Sequence, residues 1–96
     1  MAITALLELD LDPEQLDDAL GVLRETLVAT RAFPGCLGLE VLQDTDDPAH
    51  VVVVEQWESL ERDDAYRAWR ATPEGASPLG TVLAGPPSLH RFSTVQ

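Results

Sequence analysis

The chain of 96 residues has no lysine and no asparagine, a single cysteine, two histidines and five aromatic residues. Each shortage excludes chemistry. Without lysine there is no Schiff base, no lysine-type phosphate loop and no lysine general base. Cys36 alone cannot close an internal disulfide, and two histidines with one cysteine cannot build a closed four-ligand zinc site, so no metal centre is expected. No apolar run approaches the roughly 18 residues that a bilayer requires. The opening Met1-Ala-Ile-Thr-Ala lacks the basic and then apolar pattern of a leader, and a reducing cytoplasm is the expected location.

Positive charge is scarce as well. Six arginines face 17 acidic residues, for a net charge of −11. Such a surface repels phosphate backbones and anionic lipid, so neither nucleic acid nor membrane is expected as a partner. With 45% hydrophobic residues the chain sits in the globular range rather than the disordered one. Residues 1–96 suffice for one domain, of a size that often gains stability by pairing.

The hydrophobic pattern gives the order of elements. Ile3, Ala5, Leu7, Leu9 and Leu11 alternate along residues 3 to 11 and predict a first strand. Asp12-Pro13-Glu14-Gln15 reads as a helix start, because Asp caps free amides and Pro is tolerated at the first helical position. Leu16, Ala19, Leu20, Leu23 and Leu27 then recur at helical spacing to about Thr30, and Phe33-Pro34-Gly35 stops the helix.

A second strand is expected over residues 36–43, a polar turn from Asp44 to Pro48, and a third strand over 50–57. The unbroken run Val51 to Val54 suits a central strand with both faces covered. Ser59 caps a second helix to about Ala71, with Leu60, Ala65, Tyr66 and Trp69 as its inner stripe. Ser77-Pro78 opens a short helical turn, and residues 88–95 alternate as a fourth strand.

This β-α-β-β-α-β order is that of ferredoxin-like α+β folds, in which one antiparallel sheet carries both helices on one face. The helices leave the other face open, yet strands one and three supply apolar residues to both. A second copy of the chain is therefore expected on the open face, as an isologous homodimer.

Phe33-Pro34-Gly35-Cys36-Leu37-Gly38-Leu39-Glu40-Val41, then Gln43-Asp44 with Asp47-Pro48, then Val54-Glu55-Gln56-Trp57-Glu58-Ser59 resembles the antibiotic biosynthesis monooxygenase family in order and spacing. With the surrounding elements the resemblance spans nearly the whole chain. It implies a ferredoxin-like protomer pairing as a dimeric α+β barrel. It also implies one of several activities, among them oxygenation of polyketide-derived anthrones without metal or flavin, haem degradation and quinol oxygenation. Many relatives carry a histidine nine positions beyond the strand-end tryptophan; here that place is Tyr66. The haem branch is disfavoured, since no histidine lies between His50 and His90.

Cofactor-free oxygenation of an acidic phenol or anthrone needs an apolar pocket, a proton acceptor and a donor that stabilises the oxyanion while it reacts with dioxygen. Tyr66, Trp69 and Arg70 fall at helical spacings i, i+3 and i+4, with Arg62 one turn earlier, so one flank joins aromatic and cationic groups. Tyr66, Glu55 and His50 are the candidate catalytic residues; Trp57, Trp69 and Arg70 are the candidate substrate-binding residues. Each has a plainer alternative. Tyr66 and Trp69 can be core stripe, Glu55 an ion-pair partner of Arg91 on the dimer face, and His50 a solvated residue at a hairpin end. The combined expectation is a cofactor-independent monooxygenase of a small aromatic substrate. The alternatives are a cofactor-free cyclase or isomerase, and a non-catalytic dimeric ligand-binding or stress-response module.

Overall fold

The computed structural model describes residues 2–95. Strand β1 (Ile3–Asp10) pairs antiparallel with β3 (His50–Trp57), from Ile3 opposite Trp57 to Asp10 opposite His50. Strand β2 (Cys36–Gln43) flanks β3 and β4 (Ser88–Ser93) flanks β1, so the sheet order is β2-β3-β1-β4. Helices α1 (Leu16–Ala32) and α2 (Leu60–Arg70) complete the ferredoxin-like α+β arrangement. Among the described residues no helix is long and apolar enough to cross a membrane.

Local chemistry sets the boundaries. Asp12 Oδ1 accepts from the Glu14 amide at 3.0 Å, and a 3-10 turn over Pro13–Gln15 precedes α1. Gly35 takes φ of 97°, in the left-handed region that favours glycine, and an added Cβ would lie 2.5 Å from Arg62 Cβ. That turn feeds α1 into β2 and lets the Gly35 carbonyl accept from the Glu58 amide at 2.8 Å. The start of β2 and the end of β3 are thereby held against the start of α2.

One sheet face is packed. Leu9, Leu11, Val51 and Val53 meet Leu23 and Leu27 of α1 in the larger core cluster. Ile3, Ala5 and Trp57 meet Tyr66 of α2 in a second cluster, with Phe33 and Trp69 against it. The inner stripe of α2 differs from expectation: Leu60 and Ala65 are exposed, and Asp63 and Tyr66 are the buried residues. Three and seven residues separate Asp63 from Tyr66 and Arg70, so all three lie on one side of the helix. The opposite sheet face bears Leu6, Val52 and Val54, half-buried, with Leu42 and Phe92 exposed.

On that open face His50 is clamped. Its Nδ1 lies 2.9 Å from Asp44 Oδ2, and its Nε2 lies 2.8 Å from Glu8 Oε1. The hydrogen bond to Asp44 and then that to Glu8 push the imidazole from 6.5 up to about 9, so it is charged at neutral pH. A folded-state value above the unfolded one stabilises fully below about pH 6.5, and the gain is lost as pH rises towards 9. The urea midpoint of the wild type is therefore expected to fall between those limits, and that of His50→Gln to change little. Parallel pH profiles for the two proteins would contradict the clamp.

Candidate active site

The only tyrosine and both tryptophans of the chain come together beside α2. Trp57 ends β3 and is fully buried. Ser59, whose Oγ accepts from the Arg62 amide at 3.2 Å, starts α2 two residues later and carries Tyr66 back over it. The Tyr66 ring centroid lies 5.0 Å from that of Trp57 and 5.3 Å from that of Phe33, which arrives from the end of α1. Trp69, one turn on and half-buried, lies 6.2 Å from Tyr66. The space between the sheet and this part of α2 is filled by these rings.

The Tyr66 hydroxyl is held from two helices. It lies 2.6 Å from Thr30 Oγ1 of α1 and accepts from Arg70 Nε at 2.7 Å. Arg70 also donates from Nη2 to the Thr26 carbonyl at 2.8 Å and to Thr30 Oγ1 at 3.0 Å, and from Nη1 to the Gly75 carbonyl at 3.1 Å. Four of the five guanidinium N–H bonds are thus engaged, leaving one on Nη1. Gly75 is required there, because an added Cβ would overlap the Trp69 carbonyl oxygen. The chain after α2 can therefore turn back against the helix.

That return creates a cleft of about 250 Å³ between α1 and residues 74–78. Trp69 and Arg70 line it, with Thr26 and Glu25 from α1 and Glu74 from the returning segment. Two of the three expected substrate-binding residues are therefore on one cavity. Trp57 is not; it lies inside, behind Tyr66. Arg62, expected on the same flank, turns to Glu58 at the surface at 3.7 Å.

Glu55 has a different partner from the one expected. Register places Glu55, Ala5 and Arg91 in one row across β3, β1 and β4, so Ala5 separates the two charged residues. Their face is the one that α2 covers, and Arg67 reaches down from α2 to meet Glu55 Oε1 at 2.6 Å. The same oxygen accepts from Trp57 Nε1 at 3.0 Å. Arg67 Nε also lies 3.0 Å from Asp63 Oδ1, and Arg91 pairs with Asp63 and Asp64. Glu55 and Asp63 are both fully buried, and Glu55 Oε2 has no hydrogen-bond partner among the described residues.

Of the three candidate bases, only Tyr66 is linked to the cleft. Glu55 lies within the ion network, and His50 stands seven residues from Trp57, roughly 23 Å along an extended strand. On the open face, with both ring nitrogens engaged and its charge retained at neutral pH, His50 has no vacant position for a proton. Cys36, with its thiol pushed up chiefly by burial, is not an activated nucleophile.

Thr30, Asp63 and Arg67 were not among the expected site residues. Thr30 follows Leu23 and Leu27 at helical spacing, and it is a polar residue on a buried stripe. Asp63 and Arg67 lie i, i+4 on α2, a spacing shared with ordinary surface pairs. Their burial sets them apart energetically. Replacing Arg67 by Met strands the buried Glu55 carboxylate, while Asp63 keeps Arg91, and is expected to cost about 3 kcal/mol in urea unfolding, whereas Arg62→Met, at an exposed pair, costs less than about 0.5 kcal/mol. Equal losses would contradict the network.

A comparison with curated proteins finds no match. Solved structures do resemble the chain. An antibiotic biosynthesis monooxygenase is 23% identical, with TM-score 0.81 over 98% of this chain and 99% of the other. A Caulobacter crescentus protein is 18% identical, with TM-score 0.82 over 99% and 91%. One from Mycobacterium tuberculosis is 17% identical, with TM-score 0.81 over 100% and 97%. At these identities the likeness shows a shared fold. Residues 2–75, which carry β1 through α2 and the Gly75 turn, match the family model described as antibiotic biosynthesis monooxygenase, and the chain belongs to that family.

Proposed function

We propose that the chain is a cofactor-independent monooxygenase that oxidises a small acidic aromatic compound, such as an anthrone, phenol or quinol, using dioxygen and neither metal nor flavin. Family membership supports the reaction class. The observation that carries the reading is Arg70, which lines the cleft beside Trp69 and retains one uncommitted N–H. A substrate oxyanion would accept that hydrogen and lie against the indole, so that negative charge is stabilised where it forms. Tyr66 and Thr30 act through Arg70 as positioning residues, fixing the guanidinium plane.

The reaction balances without a cofactor. An anthrone loses a proton to a carboxylate at the cleft rim, and its anion gives one electron to dioxygen. The two radicals join to form a C–O bond, the carboxylic acid returns its proton to the outer oxygen of the peroxide, and cleavage of the remaining C–H and the O–O bond releases water and leaves a carbonyl where the methylene stood. One oxygen atom is kept and the other leaves as water. Glu25 and Glu74 line the cleft and would serve as proton acceptors.

A second copy of the chain would cover Leu6, Val52, Val54, Leu42 and Phe92, giving a homodimer. We place this dimer in the cytoplasm, where the unpaired Cys36 stays reduced.

One observation favours a second reading, a non-catalytic ligand-binding module: the rings of Trp57, Tyr66 and Phe33 close the interior between sheet and α2. Dithranol, an anthrone, separates the two. Dioxygen uptake above the uncatalysed rate is expected, with kcat/KM reduced about tenfold in Arg70→Gln, the scale of one charge-assisted hydrogen bond. Binding seen by quenching of tryptophan fluorescence, with no uptake by folded protein, would establish the module instead.

A further inference from the structure

Every tyrosine and tryptophan in the chain belongs to one continuous set of ring contacts. Trp69 lines the cleft, Tyr66 lies 6.2 Å from it, and Trp57, fully buried, lies 5.0 Å from Tyr66. Phe33 touches all three, at 5.4, 5.3 and 6.3 Å between centroids. These separations are short enough for an electron to pass between neighbouring aromatic groups. We propose that the cluster is an electron relay. A one-electron oxidant at the cleft, an organic or oxygen-derived radical, takes an electron from Trp69, and the vacancy moves inward to Trp57, whose indole proton passes to Glu55.

Hydrogen bonding determines where the vacancy rests. An oxidised phenol must release its proton at once, yet the Tyr66 oxygen is bonded to a guanidinium N–H and to the Thr30 hydroxyl, and neither is a base. The Arg67 and Arg70 guanidinium carbons also stand 4.9 and 5.1 Å from the Tyr66 ring centroid, and Arg70 stands 4.9 Å from that of Trp69, which penalises positive charge on both rings and makes them points of passage rather than of rest. Trp57 differs in its partner. Its Nε1 donates to a carboxylate oxygen at 3.0 Å, and an oxidised indole is about as acidic as a carboxylic acid.

In the completed step Trp57 has lost one electron and the Nε1 proton. The N–H bond breaks, an O–H bond forms on Glu55, and the oxidant becomes its closed-shell anion. Neutralising Glu55 does not strand Arg67, because Asp63 remains 3.0 Å from its Nε. A second buried carboxylate beside the same guanidinium thus has a use that stability alone does not supply. The relay needs only an oxidant at the cleft, so it holds whether or not the chain oxygenates a substrate. Its effect would be to quench a stray radical before it attacks the cleft wall.

Flash-quench oxidation of the intact protein with photogenerated ruthenium(III) tris-bipyridine, followed by transient absorption and electron paramagnetic resonance, tests the relay. A lasting neutral indolyl radical is expected in the wild type. Trp69→Phe leaves Trp57 as the sole indole, and the same radical should form there about tenfold more slowly or slower still. In Glu55→Gln the radical should keep its proton and show the cation spectrum. A tyrosyl radical as the lasting species in Trp69→Phe, or an unchanged neutral radical in Glu55→Gln, would overturn the proposal. Neither test requires the fully buried Trp57 to be replaced.

Discussion

The Arg70 guanidinium joins three parts of the protein, α1, α2 and the segment that returns after it, through four acceptors. It reaches the backbone of α1 at Thr26, the hydroxyls of Thr30 and Tyr66, and the carbonyl of Gly75 in the returning segment. Each acceptor is a neutral oxygen, so the cation is solvated by the protein rather than paired with a carboxylate. A planar fork with fixed donor directions suits that arrangement, and the flexible point charge of a lysine does not. This one side chain is bonded to both walls of the cleft, at Thr26 and Gly75, and its Nε bond anchors the phenol in the middle of the aromatic cluster.

The charge of the chain has a corresponding internal order. Acidic residues predominate, and most sit at solvated turns and helix starts, where Asp17 and Asp18 also suit the positive end of α1. The cations are few, and three of the six arginines, Arg67, Arg70 and Arg91, are engaged with buried groups. The interior beneath α2 holds Glu55 and Asp63, whose burial is tolerable only with guanidinium partners. Scarce positive charge in an acidic protein thus goes to the one region where both helices, the end of β3 and β4 meet.

Much of the fold is legible in the sequence, because alternation, caps and breakers each act locally. Period-two spacing in β1 and β3, Asp12 and Ser59 as caps, and Gly35 as a turn residue locate the elements without reference to tertiary contacts. The site is legible only in part. Helical spacing groups Tyr66, Trp69 and Arg70, and strand alternation puts Glu55 and Trp57 on one face, as the structure has them. Spacing does not reveal which charged residues are inside. Asp63 and Arg67 look like a solvated i, i+4 pair, and their burial follows from how α2 lies across the sheet. The cleft is equally hidden, since it depends on a backbone approach at Gly75 that no periodicity records. Glu55 illustrates both limits: its face follows from alternation, its partner from the helix above it.

The account rests most directly on Arg70 being immobilised by its acceptors, and nitrogen-15 NMR of the arginine side chains measures this. The account predicts a resolved, slowly exchanging Arg70 Nε–H signal, distinct from the exposed Arg24 and Arg31, whose protection is lost in Tyr66→Phe. An Arg70 signal that exchanges with water as fast as those of Arg24 and Arg31 in the wild type would contradict it.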